Sequence, residues 1–147
     1  SRAFCMVDFI LRRGAPTLLE LAPRPGGDCL PPLLRAARGW DPLLAAPAFA
    51  RGHDEKQDPF PGGAYHLGLR LVAPREGVVR RLDTALLEED PRVLAVGGLR
   101  ELGHRVILPP EDYDSRILGY AIARLEPRNP ETQAQELDAL WRVEMAP

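Results

Sequence analysis

Phe4-Cys5-Met6-Val7-Asp8-Phe9-Ile10-Leu11 is an apolar run broken by one acid, and Thr17-Leu18-Leu19-Glu20-Leu21 is a second such run broken by another. The link between them, Arg12-Arg13-Gly14-Ala15-Pro16, has the composition of a turn. Two apolar strands around a tight turn make an antiparallel hairpin. If it is centred on Gly14, residues whose numbers add to 28 face each other, and Asp8 then lies opposite Glu20. Side chains directly opposite share a face, with Cβ atoms about 5 Å apart. Read as a buried hairpin, this arrangement makes two like charges repel and lose hydration. A cation relieves both penalties. A pair of hard oxygen donors suits Mg²⁺, which takes one or two carboxylates together with substrate phosphates.

The residues that follow carry the argument forward. Glu20-Leu21-Ala22-Pro23-Arg24-Pro25-Gly26-Gly27-Asp28 is a strand end running into a Pro/Gly turn with one arginine in it. Arginine matches carboxylate and phosphate oxygens in a planar, two-pronged way. Gly26 and Gly27 permit close backbone approach, and so are candidates for binding a phosphate-bearing cofactor. Leu30-Pro31-Pro32-Leu33-Leu34-Arg35-Ala36-Ala37-Arg38-Gly39 is a helix, with Asp28 near its start, Pro in the first turn and Gly at its end. Anions favour such a helix start.

From Val7 to Asp41 the chain resembles the final catalytic hairpin of the ATP-grasp ligases, whose usual form is Glu-x-Asn-x-Arg-x-x-Gly. In that family an upstream acid and the Glu hold Mg²⁺ bridging the ATP phosphates, the Asn completes the metal shell, and the Arg contacts the acyl phosphate or substrate carboxylate. The resemblance implies that Asp8 is the upstream acid, Glu20 the Glu and Arg24 the catalytic Arg. It departs at Ala22, which stands where the Asn would be and cannot ligate a metal. Taken singly, an acid in a strand is an edge residue and a Pro-Arg-Pro-Gly-Gly run is a loop. Taken together, with apolar strands before them and a helix after, they favour the ligase reading.

The rest of the chain sets bounds. Its 147 residues accommodate one ordinary domain or two small ones, and 45% hydrophobic content supports a folded core. A net charge of −2 gives no electrostatic footprint for nucleic acid or an anionic membrane. Lys56 is the only lysine, so arginine carries nearly all the positive charge. Cys5 and Cys29 do not make a metal or redox spacing, which together with the missing signal peptide points to a reducing cytoplasm. Because Ser1 enters a strand almost at once, the reading is of a C-terminal piece of a longer protein.

The expected fold class is α+β: the C-terminal part of an ATP-grasp fold, then a small antiparallel β-subdomain with a C-terminal helix. Residues 1–60 form the first part and 61–147 the second. A second short helix runs from Asp41 to near Arg51-Gly52, and His53 to Gly63 reads as a mobile loop. Strands are expected at Tyr65–Ala73, Gly77–Leu82, Arg92–Val96, Arg105–Leu108 and Ile117–Leu125, with a helical turn or two at Thr84–Glu89. Asn129-Pro130-Glu131 opens a last helix reaching Arg142, with Ala134, Leu137, Leu140 and Trp141 on one face. This half is similar to the small sheet that follows the catalytic hairpin in biotin carboxylase and its relatives, through Gly103-His104-Arg105-Val106, Pro109 to Arg116 and Leu118-Gly119-Tyr120-Ala121-Ile122-Ala123.

Other reactive residues read as structural. His53, His66 and His104 do not fall at metal-ligand spacing, Ser115 lacks a nucleophile-elbow context, and Trp40 and Trp141 read as packing anchors. Glu88-Glu89-Asp90 is a solvated face. On resemblance alone, Asp112–Arg116 lines a substrate cleft. The expected function is that of an ATP-dependent carboxylate–amine ligase acting through an acyl phosphate. ATP and Mg²⁺ are its cofactors, and a small-molecule carboxylate and amine its substrates. Neither nucleic acid nor membrane is a partner. The ATP-binding part comes from preceding sequence or from a partner chain, with a homodimer left open. The rival is a non-catalytic binding or regulatory module that keeps the fold and has lost the metal chemistry.

Overall fold

Strands β1 (Met6–Arg12) and β2 (Ala15–Ala22) form a two-stranded antiparallel sheet. In this computed structural model residues 4–53, 65–127 and 129–147 are described, and the chain divides into two compact units, Ser1–Gly63 and Ala64–Pro147. The turn between β1 and β2 is Arg13–Gly14, with φ of 50° and 80°. Positive φ at both positions is the two-residue hairpin turn whose twist matches the flanking strands. The centre is therefore not Gly14. Near the tip Arg12 pairs with Ala15 and Phe9 with Leu18, one position off the expected register. Between Asp8 and Phe9 the register shifts, and from there Asp8 pairs with Glu20 and Met6 with Ala22. Leu19 is the extra residue of a β-bulge.

Nor is the hairpin buried within its own unit. One face carries Met6, Asp8, Glu20 and Ala22; the other carries Val7, Phe9, Leu11, Leu18 and Leu21. Among β1 and β2 only Ala22 is buried, and Leu11 is 69% exposed. Two strands cannot cover their own faces; a sheet needs a packed layer against it. Unit 1 supplies that layer only at the Met6–Ala22 end.

Helix α1 (Leu30–Arg38) starts at N-cap Cys29 and stops at Gly39, whose φ of 63° and N–H to the Arg35 carbonyl (2.8 Å) close the last turn. Helix α2 (Pro42–Ala50) is capped by Asp41, which accepts from the Leu43 N–H at 2.9 Å and pairs with Arg35 at 3.0 Å. Apart from His53, the loop expected at His53–Gly63 lies outside the described residues.

Unit 2 holds two three-stranded antiparallel sheets. One has the order β3 (His66–Val72), β7 (Ile117–Arg124), β5 (Val93–Gly98). The other runs β6 (Arg105–Val106), β4 (Gly77–Asp83), β8 (Arg142–Ala146). Helices α3 (Ala85–Glu89) and α4 (Pro130–Asp138) complete it. Leu71, Val79, Leu87, Val106, Leu118 and Leu137, each at most 3% exposed, form one core shared by both sheets and both helices.

Two expectations fail here. Helix α4 ends at Asp138, short of Arg142, and Arg142–Ala146 is a strand instead. Arg142 and Glu144 are exposed while Val143 and Met145 pack on the core, an alternation that suits a strand and not a helix. Trp141 sits at the junction, buried, its indole N–H donating to Asp138 Oδ1 at 2.8 Å. The expected strand at Arg105–Leu108 is only two residues long, because the Ile107 N–H and C=O bond the Ser115 hydroxyl instead of a strand.

Polar groups fasten the edges of unit 2. Arg92 donates to both carboxylate oxygens of Asp90 and, at 2.7 Å, to Glu136 of α4. The Asp90 bonds, and then Glu136, push the Arg92 pKa further up. Gln133 is fully buried: its amide donates to the Arg124 carbonyl at 2.6 Å and accepts from the Glu126 N–H at 3.0 Å. Gln133→Ala strands two backbone groups in a dry site, so unit 2 should lose about 2–4 kcal/mol. Urea unfolding followed by Trp141 fluorescence in a Trp40→Phe background measures this.

Candidate functional site

Asp8 and Glu20 face one another across the hairpin, on one side of the sheet, with both side chains exposed. Exposure changes the energetics. Two unit charges about 5 Å apart in water repel by only about 1 kcal/mol. The pair is therefore stable in the absence of a cation, and the argument from lost hydration does not hold. What remains is geometric: two carboxylates on one surface, accessible to an ion arriving with its other ligands. Among the described residues no group of three or more His, Cys, Asp or Glu side chains could hold a metal. The pair fits an ion that brings phosphate oxygens and water to complete its shell, as Mg²⁺ does.

Ala22 lies on the same face, two residues beyond Glu20, buried beside Met6. The chain then turns: the Arg24 N–H donates to the Ala22 carbonyl at 2.8 Å. The Arg24 side chain is exposed and donates from Nη1 to the Pro25 carbonyl at 3.2 Å. Gly26 is buried, and a Cβ there would strike the Leu30 side chain and press on Met6 Sδ. Gly27 is exposed, with nothing within 4 Å of the space its Cβ would fill. Asp28 has a left-handed φ of 57° and precedes the N-cap, which is Cys29 and makes no side-chain cap bond. Asp8, Glu20, Arg24, Gly26 and Gly27 thus follow one another along one hairpin and its exit turn.

Several of the other candidates bond within the fold. His104 Nε2 bonds the Ser115 carbonyl at 2.8 Å, and the Ser115 hydroxyl is saturated by Ile107. Asp112 Oδ1 accepts from the N–H groups of Asp114 and Ser115, each at 2.9 Å, closing its own turn. Trp40 stacks at 5.5 Å on Phe4. The feature that sequence reasoning missed is the bulge at Leu19. Its signal was present: Leu18-Leu19 breaks the alternation of polar and apolar residues.

A parallel reading of sequence matches the chain to no protein-family profile and to no curated protein. The chain shares the ATP-grasp fold of two solved enzymes, matched over a part of each. The L-amino acid ligase of Bacillus licheniformis superimposes with a TM-score of 0.76 at 15% identity, over 96% of this chain and 36% of that one. The phosphoribosylglycinamide synthetase of Anaerococcus prevotii gives 0.58 at 16% identity, over 95% of this chain and again 36% of the other. The chain thus spans about a third of the length of either enzyme.

The face opposite the two acids is a continuous apolar surface. The chain on its own should therefore enhance the fluorescence of an apolar dye such as anilinonaphthalene sulfonate. Phe9→Lys with Leu18→Glu should abolish most of that signal while far-UV circular dichroism stays unchanged.

Proposed function

We propose that the chain is the C-terminal portion of an ATP-dependent carboxylate–amine ligase that works through an acyl phosphate. The observation that carries this reading is the facing of Asp8 and Glu20, followed directly by the exposed Arg24, on a fold shared with an L-amino acid ligase and a phosphoribosylglycinamide synthetase. Asp8 and Glu20 would hold Mg²⁺ through their carboxylate oxygens. The ion, when bound with ATP, supplies charge neutralisation at the phosphates and orients them. Arg24 offers a planar fork to the acyl phosphate or the carboxylate that precedes it. Gly27 leaves the backbone open beside it, and the exit turn forms one wall of the acceptor site.

The residues before Ser1, or a partner chain, would supply the adenine pocket and the cationic donors for the phosphates, since the hairpin offers neither. The substrates are a small carboxylic acid and an amine, and the compartment is the cytoplasm. Among the described residues no helix is long and apolar enough to cross a membrane. One observation favours the rival reading of a non-catalytic module: Ala22 is buried against the base of the hairpin where the family's third metal ligand would stand.

Two measurements separate these readings. In the complete ligase, Arg24→Lys should lower turnover by about 10²-fold without unfolding, because an ammonium cannot reproduce the two-pronged contact. Near-normal turnover would assign Arg24 a structural role only. The 147-residue chain alone should show no tight heat of binding when titrated with Mg²⁺ and ATP. Micromolar affinity would place a complete nucleotide site within these residues.

A further inference from the structure

The two ends of the β1–β2 hairpin specify registers that differ by one residue. At the tip, the Arg13–Gly14 turn pairs Arg12 with Ala15 and carries that register to Phe9 and Leu18. Continued unbroken, it would set Asp8 opposite Leu19 and Glu20 opposite Val7. The two carboxylates would then lie on opposite faces, since a one-residue slip exchanges the faces of a strand. At the base, Met6 pairs instead with Ala22 and Val7 with Leu21. Leu19 absorbs the difference.

Burial selects the base register. Ala22 is the only buried residue of the two strands, at 8% exposure. Beside it, Met6 Sδ and the Leu30 side chain close over the bare face of Gly26, in the space where a Cβ would stand. A slip would turn Ala22 out to solvent and bring the larger Leu21 opposite Met6, onto the face where Met6 and Leu30 already fill the space over Gly26.

We propose that this base contact, Met6 and Leu30 closing over Gly26 beside the buried Ala22, holds Asp8 and Glu20 on one face, and that the bulge at Leu19 uncouples that pairing from the turn. Met6, Gly26 and Leu30 are positioning residues: they act on the pair through the register and touch neither metal nor phosphate. The importance of the register for binding rests on reading Asp8 and Glu20 as the Mg²⁺ pair. The register itself does not depend on that reading.

Disulfide trapping reads the register directly. In a Cys5→Ser, Cys29→Ser background, Asp8→Cys with Glu20→Cys should oxidise to a cross-link, because facing residues meet the geometric requirement of the bond. A glycine inserted after Gly14, or deletion of Leu19, should leave the cross-linking rate within about twofold, since the base contact is untouched. Gly26→Leu should slow it by about tenfold or more, and Leu30→Ala in that variant should restore it by making room. Loss of the cross-link on lengthening the tip, or an unchanged rate in Gly26→Leu, overturns the proposal. The lengthened tip alters only exposed residues and carries the test alone if Gly26→Leu does not fold. Mn²⁺ binding, followed by electron paramagnetic resonance with the native acids in place, is the second readout. It should weaken in Glu20→Gln and in Gly26→Leu alike. If Glu20→Gln leaves Mn²⁺ binding unchanged while the cross-links behave as expected, the metal reading fails and the register assignment stands.

Discussion

A strand has two faces, and one residue of slip exchanges them. That constraint governs the chemistry available to unit 1. Asp8 and Glu20 are a pair because of where the ladder is fixed, not because the sequence sets them at a special spacing. The turn at Arg13–Gly14 is well formed for its own sake, with a backbone that suits a two-residue connection. Left to itself it would separate the acids. The short buried end of the hairpin prevails, and the bulge at Leu19 is the visible compromise between the two. Local turn preference and local burial are both satisfied, at the expense of one interrupted step in the ladder.

The two units are stabilised in different ways. Among the described residues nearly all the buried apolar side chains, including Leu71, Leu87, Leu118, Ile122 and Leu137, belong to unit 2, where two sheets share one core. Among its described residues unit 1 buries Ala22, Gly26, Ala45 and the prolines at its helix starts. Its order rests on stops and caps: Gly39 in a left-handed conformation, Asp41 on the Leu43 amide, and prolines that fix φ in the first turns. Such elements restrict the chain without filling much space. Unit 1 therefore holds its candidate site on a scaffold with little of its own apolar burial to spare, while unit 2 has a core that no candidate metal or phosphate residue shares.

Much of this was legible in the sequence, and the reasons are local. Helix α1 could be read to its last residue because Gly39 stops it, and α2 because Asp41 and Pro42 start it. Strands β3, β4, β5 and β7 of unit 2 announce themselves by apolar runs between Gly and Pro turns. The reading went wrong where a signal depends on distant contacts. Leu140 and Trp141 continue a helical pattern by number, yet Trp141 is held by Asp138 and Val143 pairs across to Leu82 of β4, so the helix yields to a strand. The pairing of Asp8 with Glu20 was anticipated from a turn centred on the wrong residue. The bulge offset that error, so the right pair followed from an incorrect centre. Burial of the hairpin could not be read at all, because it depends on what packs against the sheet and not on the strands themselves.

The apolar side of the hairpin has a consequence for the life of the chain in a cell. Val7, Phe9, Leu11, Leu18 and Leu21 form an extended, uncovered apolar surface, with Arg12 and Arg13 at its tip. To the proteostasis machinery such a surface resembles unfinished folding, even though β1 and β2 are already paired on both sides of the bulge. Holdases and proteases act on chains that expose apolar side chains. The hairpin that carries the two acids thus also bears the kind of surface by which cells mark a chain for triage.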